Sequence, residues 1–380
     1  MLVERRLLRN LDLTVLVTVL LLVLMGLAMV FSATHANKAL NHGDPTFALK
    51  KQLVGVVLGF IGMALIILVD YHASERFHLI IYIGNALMLA SVLLFGREVN
   101  GAKSWLYLGP FSSLQPSEFA KVAVIVTLAR HLANKERLDS FWDLLSPLLH
   151  VSVPMLLIFL QPDLGTLLVF AFITLSMLYM AGARGLHLVI LIAVPLLLLV
   201  GAFLAHAYLD MPLPLKEYQL KRLTSFIDPA KDAQGSGYNL IQAMIAVGSG
   251  RFLGKGYLRS TQGRLGYVPE HQTDFIFAIV GEELGFIGAF FLLALFFTLI
   301  WRGLRIAYQA KDRYGSLIAT GVLAMFLFHV LENIGMNLGI MPITGIPLPF
   351  ISYGSSSMTA SLWAVGLLEN VWVRRQKIMF

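Results

Sequence analysis

The stretch Tyr267-Val268-Pro269-Glu270-His271-Gln272-Thr273-Asp274-Phe275-Ile276-Phe277-Ala278-Ile279-Val280-Gly281-Glu282-Glu283-Leu284-Gly285 carries a polar loop, broken by Pro269, straight into a long apolar helical pattern. Four carboxylates (Glu270, Asp274, Glu282, Glu283) and the His271 imidazole fall within fourteen residues at the mouth of that apolar run. Ionisable groups at the rim of a membrane span mark a functional site by default, because an unused charge there is costly. Thr273 or Asp274 equally suits the N-cap of the following helix, where a side-chain oxygen satisfies an orphan N–H and favours the dipole.

Outward from this stretch the composition is that of a membrane protein. Of 380 residues, 57% are hydrophobic and only 13% charged, which excludes an ordinary soluble domain. The chain has no cysteine, so disulfides and thiolate metal sites are excluded. The formal charge of +7 is dispersed between apolar segments and forms no patch of the kind that binds nucleic acid.

Ten segments are long and apolar enough to cross a bilayer, near residues 11–32, 52–70, 77–95, 117–131, 144–160, 164–181, 186–209, 274–301, 316–338 and 350–373. The first follows Arg5, Arg6 and Arg9 but is too long for a cleaved signal, and it reads as a retained anchor. With an even number of spans, fifteen Lys and Arg fall on the side of the termini and five in the short loops of the other side. Both termini are therefore expected to be cytoplasmic. The expected fold is an all-α polytopic membrane protein of about ten helices, forming one membrane domain over residues 1–380. A long external loop, 210–273, joins spans seven and eight, with short amphipathic helices at 216–226 and 238–247.

Further polar groups converge on the side of Asp274. Gln115-Pro116-Ser117-Glu118-Phe119-Ala120-Lys121 opens a span with Glu118 and Lys121 one helical turn apart. They form either an internal ion pair or a site in which Lys121 meets an anionic head group. Trp105 suits an interfacial belt. Asp163, in Gln161-Pro162-Asp163-Leu164-Gly165-Thr166, suits a helix cap. Arg222 offers a planar fork for phosphate oxygens, although a solvated surface arginine is the ordinary alternative. Gly248-Ser249-Gly250-Arg251-Phe252-Leu253-Gly254-Lys255-Gly256 lacks the spacing and the hydroxyl residue of a nucleotide loop, and reads as a flexible connection. Between residues 338 and 355, Pro342, Pro347 and Pro349 with Gly339, Gly345 and Gly354 predict irregular backbone at membrane depth, which survives only where it lines a cavity or is buried in protein. The histidines lack zinc spacing, so no protein-caged metal is expected.

Taken together, Gln115-Pro116-Ser117-Glu118, the 161–166 motif, residues 269–278 and the run from Asn333 to Tyr353 resemble the SEDS family (shape, elongation, division and sporulation) of bacterial cell-wall polymerases. Asn333-Ile334-Gly335-Met336 and Lys255-Gly256-Tyr257-Leu258 with Thr261-Gln262 look more like its rod-elongation branch than its division branch. Ser355 stands where the family usually has a second glycine after Tyr353-Gly354.

The resemblance implies an inverting peptidoglycan glycosyltransferase that polymerises lipid II on the outer face of the bacterial cytoplasmic membrane. By that resemblance Asp274 is the essential carboxylate and general base, and a partly desolvated carboxylate suits that task. Glu118 and Lys121 match the functional polar pair, and Trp105, Asp163 and Arg222 fall on motif positions assigned to substrate binding. Lys121 and Arg222 are candidates for the diphosphate, with a divalent cation such as Mg or Mn as a possible assistant. The implied partners are lipid II, membrane lipids and a single-span class B penicillin-binding protein. A lipid II transporter (flippase) would use the same broken helices and intramembrane charges, and a non-catalytic scaffold is the third reading.

Overall fold

A computed structural model describes residues 10–35, 44–99, 102–109, 112–135, 138–209, 226, 228–229 and 235–375. The elements run α1 (Leu13–Thr34), α2 (Phe47–Leu68), the short α3 (Tyr71–Arg76), α4 (His78–Phe95), β1 (Arg97–Val99), β2 (Ala102–Gly109), β3 (Ser112–Leu114) and α5 (Pro116–Ala133). They continue through a short 3-10 turn to α6 (Leu145–Leu160), α7 (Leu164–Met180), α8 (Gly185–Leu209), α9 (Ser236–Ser249), α10 (Ile276–Tyr308), α11 (Arg313–Asn337) and α12 (Ser355–Val373). Every one of the ten expected spans coincides with one of these helices, the exceptions to the span list being the short α3 and the fourteen-residue α9.

Local chemistry sets several helix starts. Asp12 Oδ1 accepts from the N–H groups of Thr14 and Val15 at the head of α1, Pro116 occupies the first turn of α5, and Asp312 Oδ1 accepts from Gly315 N before α11. At the far end of the bundle, where α1 begins and α12 ends, Asp12 N donates to Glu369 Oε2 and Arg302 clamps the Asp12 carboxylate. Arg375 lies over the Trp372 ring, 3.4 Å from its centre. The two described ends of the chain therefore close on the same face.

Helices α2 and α12 pack closely because Gly55 and Gly59 remove side chains along the contact: a Cβ at either would lie 2.7 Å or less from Ser355 or Leu362. Asn370 and Arg374 then donate to the carbonyls of residues 66–69, which finish α2 without water. A three-stranded antiparallel sheet, β1-β2-β3, follows α4 on the Asp274 face, with Arg97 opposite Trp105 and Leu106 opposite Leu114. It is the one element type absent from the helical expectation.

One span is bent. Gly285 leaves helical geometry (φ 63°, ψ −161°), so α10 is two helical pieces joined at a kink. The kink seats the glycine-rich segment: Phe286 N and Ile287 N donate to the carbonyls of Arg251 and Phe252, while Lys255 N and Gly256 N donate to Glu282 O and Glu283 O. What reads in sequence as a flexible connection is thus bonded backbone to backbone. A Cβ at Gly285 would sit 2.2 Å from Gly254 N in a left-handed conformation. Gly285→Ala is expected to cost at least about 2 kcal/mol, read as a lower Tm in detergent; an unchanged Tm would contradict the packing described.

Candidate active site

A cavity of about 420 Å³ opens on the Asp274 face, lined among others by Lys51, Trp105, Glu270, Asp274, Pro347 and Tyr353. Trp105 and Tyr107 both reach it because they are two residues apart on β2 and share one face of the sheet. Asp274 is presented by a tight turn in which Glu270 O accepts from Thr273 N and Phe275 N. Glu270 takes a left-handed φ of 52°, a conformation that costs a non-glycine residue about 1–3 kcal/mol and is kept where surroundings over-determine it.

Those surroundings come mostly from α11 and the irregular segment after it. Asn333 Nδ2 donates to Asp274 O (2.9 Å) and to Ile346 O (2.8 Å). Asn337 Nδ2 donates to Asp274 O at 3.2 Å, while its Oδ1 accepts from Ala278 N at 3.1 Å. The Ser352 hydroxyl donates to Thr273 O (2.6 Å) and accepts from Leu348 N (2.8 Å). Gln52, fully buried in α2, donates to Ser352 O and accepts from Gly354 N. The backbone on either side of the Asp274 carboxylate is therefore fixed by groups from α2, α11 and residues 338–354.

The other expected site residues are placed as follows. Glu118 and Lys121 form a 2.8 Å ion pair with side chains only 4% and 3% exposed. Lys121 Nζ also donates to His329 Nε2 (3.0 Å), whose Nδ1 donates to Pro347 O (3.0 Å). Lys121 is thus turned into the bundle and does not line the cavity. Through His329 the pair is linked to Pro347, which lines the cavity. Asp163 caps α7: its two oxygens accept from Thr166 N and Thr166 Oγ1. The turn it makes packs Gly165 against Thr344. Arg222 and nearly all of 216–226 lie outside the described residues.

The opening constellation separates into two roles. Glu282 and Glu283, 0% and 1% exposed, gather donors from the loop before the site. Glu282 accepts from Thr261 N, Gln262 N, Ser260 Oγ and Lys255 Nζ. Glu283 accepts from Ser32 Oγ, Leu258 N and Ser260 N. Burial first, and then the Glu283 carboxylate, push the Tyr257 phenol up from its usual range, so it remains a donor to Ala28 O. His271 is buried with its ring nitrogens 2.8 and 2.9 Å from Val268 O and Ala33 O. Glu270 and Asp274 alone of the four carboxylates line the cavity.

Lys51 was missed as a site residue. It lies one turn into α2 and lines both the polar cavity and a second, apolar groove of about 810 Å³ between α2, α4, α5 and α12. Ser355 is likewise shared by the two. The groove runs from Lys51 past Leu58, Met88, Phe119 and Trp363 to Ile66, about 22 Å along α2 at helical rise. Polar chemistry at the rim thus opens onto an apolar channel in the span region.

The chain matches a family described as "Cell cycle protein" (FTSW_RODA_SPOVE) over residues 12–377. It is 42% identical over 364 residues to "Stage V sporulation protein E" of Bacillus subtilis, covering 95% of this chain and 96% of that one. It is 36% identical over 388 residues to "Peptidoglycan glycosyltransferase RodA" of Treponema pallidum, covering 86% and 89%. A solved structure described as "Structural coordination of polymerization and crosslinking by a peptidoglycan synthase complex" superposes with a TM-score of 0.80 at 30% identity, covering 96% and 98%.

Removing the Asn337 amide takes one of two acceptors from Ala278 N, which keeps Phe275 O, and one donor each from the buried Asp274 and Asn333 carbonyls. Asn337→Ala is expected to cost about 2–3 kcal/mol, measured as a fall in Tm; a change under about 0.5 kcal/mol would show that the Asp274 backbone is held by other groups.

Proposed function

The chain belongs to the FtsW/RodA/SpoVE (SEDS) family, and from that premise we propose that it is a peptidoglycan glycosyltransferase polymerising lipid II. The observation that carries the reading is the junction at Lys51, where a polar cavity holding two carboxylates meets a long apolar groove. A lipid-linked sugar diphosphate has that polarity: sugars in the cavity, diphosphate at Lys51, and polyprenyl chain along the groove. A site at the helix ends favours chemistry at the membrane surface over carriage through the midplane, where transporter sites sit.

In this reading Asp274 takes the proton from the acceptor sugar's 4-hydroxyl as its oxygen bonds to the donor's anomeric carbon. The bond from that carbon to the diphosphate breaks with inversion, and the diphosphate leaves with the electron pair. Lys51 stabilises the departing charge, a role the sequence alone gave to Lys121 and Arg222. Arg222 remains a candidate for the same anion. Trp105 offers its ring to a sugar face, while Glu118, Lys121 and Asp163 act as positioning residues through Pro347 and Thr344. A divalent cation fits Glu270 together with diphosphate oxygens, since Mg²⁺ takes one or two carboxylates plus substrate phosphates; bound there it would neutralise leaving-group charge.

The basic-residue count supports cytoplasmic termini and an outward-facing cavity. A class B penicillin-binding protein that crosslinks the product is the proposed partner, supported by the likeness to a synthase complex described as coordinating polymerisation and crosslinking. Service in cell elongation rests on the motifs at 255–262 and 333–336, against greater identity to a sporulation relative. It predicts rescue of rod shape in an elongation-defective host; rescue of sporulation or division alone would contradict it.

The test is polymerisation of labelled lipid II by the purified chain with its partner. Asp274→Asn is expected to retain the wild-type Tm and lose at least about 100-fold in rate; a folded variant of undiminished rate would remove Asp274 as the base. Lys51→Gln is expected to raise KM about tenfold, and an unchanged KM would detach the diphosphate from that position.

A further inference from the structure

At the end of the bundle opposite Asp274, the start of α4, the end of α5 and the start of α6 enclose a pocket of about 370 Å³. It is lined by His78, Tyr82, Arg130, His131, Lys135 and His150 together with small polar and apolar neighbours, and no carboxylate among the described residues lines it. We propose that this pocket binds a phosphate ester, carried either by the head group of an anionic phospholipid or by a free phosphate monoester.

Its walls are rigid and pre-oriented. The Tyr82, His150 and His131 rings stack in a column, with centres 4.3 and 5.3 Å apart. His150 Nε2 pairs with Thr127 Oγ1 (3.1 Å), and His131 Nε2 pairs with Ser146 Oγ (2.8 Å). His78 Nδ1 is held by Glu75 O at 2.9 Å. Each imidazole is therefore fixed through one nitrogen, leaving the other edge as a directed polar group.

Charge is concentrated there in the same way. Arg130 is oriented by Glu75 and Asn134 through one terminal nitrogen, and its Nε is buried with no hydrogen-bond partner among the described residues. Among the described residues Lys135 Nζ donates to a carbonyl, Asp143 O, at 3.0 Å. Of the described carboxylates nearby, Glu75 pairs with Arg130 of the pocket through one terminal nitrogen, Asp143 caps residues 140–143, and Asp139 lies within 3.9 Å of Arg184. A guanidinium fork beside an ammonium and fixed imidazoles is the donor set that recognises phosphate oxygens.

The surroundings suit a lipid source. Leu79, Ile83, Leu149 and Val153 are exposed on the same helices, so acyl chains have apolar surface beside a basic pocket at head-group depth. Nothing in the proposed glycosyl transfer uses these residues, and the pocket shares no lining residue with the cavity or the apolar groove.

The experiment is native mass spectrometry of the full chain in neutral detergent, titrated with phosphatidylglycerol, phosphatidylcholine and glycerol 1-phosphate. Wild type is expected to bind phosphatidylglycerol in preference to phosphatidylcholine. The double variant His131→Gln/Lys135→Gln is expected to bind phosphatidylglycerol about fivefold more weakly, with phosphatidylcholine binding unchanged. Arg130→Gln is expected to lose more; because Arg130 also ties Glu75 to Asn134, the double variant keeps the test decisive if Arg130→Gln misfolds. Displacement of the lipid by glycerol 1-phosphate would assign the site to free phosphates, and resistance to displacement would assign it to the lipid. Equal phosphatidylglycerol binding by wild type and the folded double variant, with glycerol 1-phosphate bound by neither, would overturn the proposal.

Discussion

Backbone that is neither helix nor closed sheet and is packed inside protein has no water to satisfy it, and each unmet group costs several kcal/mol. Residues 338–354 are such backbone. Several of their carbonyls and N–H groups are met by side chains: Gln52 of α2 on Ser352 O and Gly354 N, His329 and Asn333 of α11 on Pro347 O and Ile346 O, and Ser352 within the segment on Leu348 N. One of the same side chains, Asn333, also holds the carbonyl of Asp274, where Asn337 joins it. The satisfaction of an irregular segment and the orientation of the cavity's carboxylate are one hydrogen-bonded unit. Neither is available to mutation without the other.

This arrangement accounts for motif residues that never reach the cavity. Lys121 pairs with Glu118 and donates to His329, which holds Pro347. Asp163 shapes the turn that seats Gly165 against Thr344. Both act on the wall of the cavity from behind. Glu282 and Glu283 do the same for the loop before Asp274, collecting backbone donors over residues 258–262 around the α10 kink.

Much of the fold was legible in the sequence because hydropathy and length alone define a span; all ten segments became helices. The β2 strand was not found, although Lys103-Ser104-Trp105-Leu106-Tyr107-Leu108 alternates with period two and is bounded by Gly101 and Gly109. Its short length between two spans hid that signal. Asp274 and Glu270 stand out in sequence as carboxylates at a span mouth, whereas Trp105 reads locally as an interfacial belt residue and joins the site only through the family resemblance; all three line the cavity. Lys51 has no such signal, since nothing in the basic pair Lys50-Lys51 says which member faces inward. Lys121 was read toward the substrate because His329, its second partner, lies 208 residues away. Long-range pairing of this kind has no local signature, and the same limit applies to the kink at Gly285, which packs against the distant Gly254.

The central claim is that the polar cavity and the apolar groove are one substrate site joined at Lys51. It is tested most directly by photo-crosslinking with a lipid II analogue carrying a benzophenone on its polyprenyl chain, followed by peptide mapping. The account predicts labels along the groove, at Leu58, Met88 or Trp363. Labels confined to the other large apolar pocket, around Phe172, Ile192 and Trp301, would contradict it.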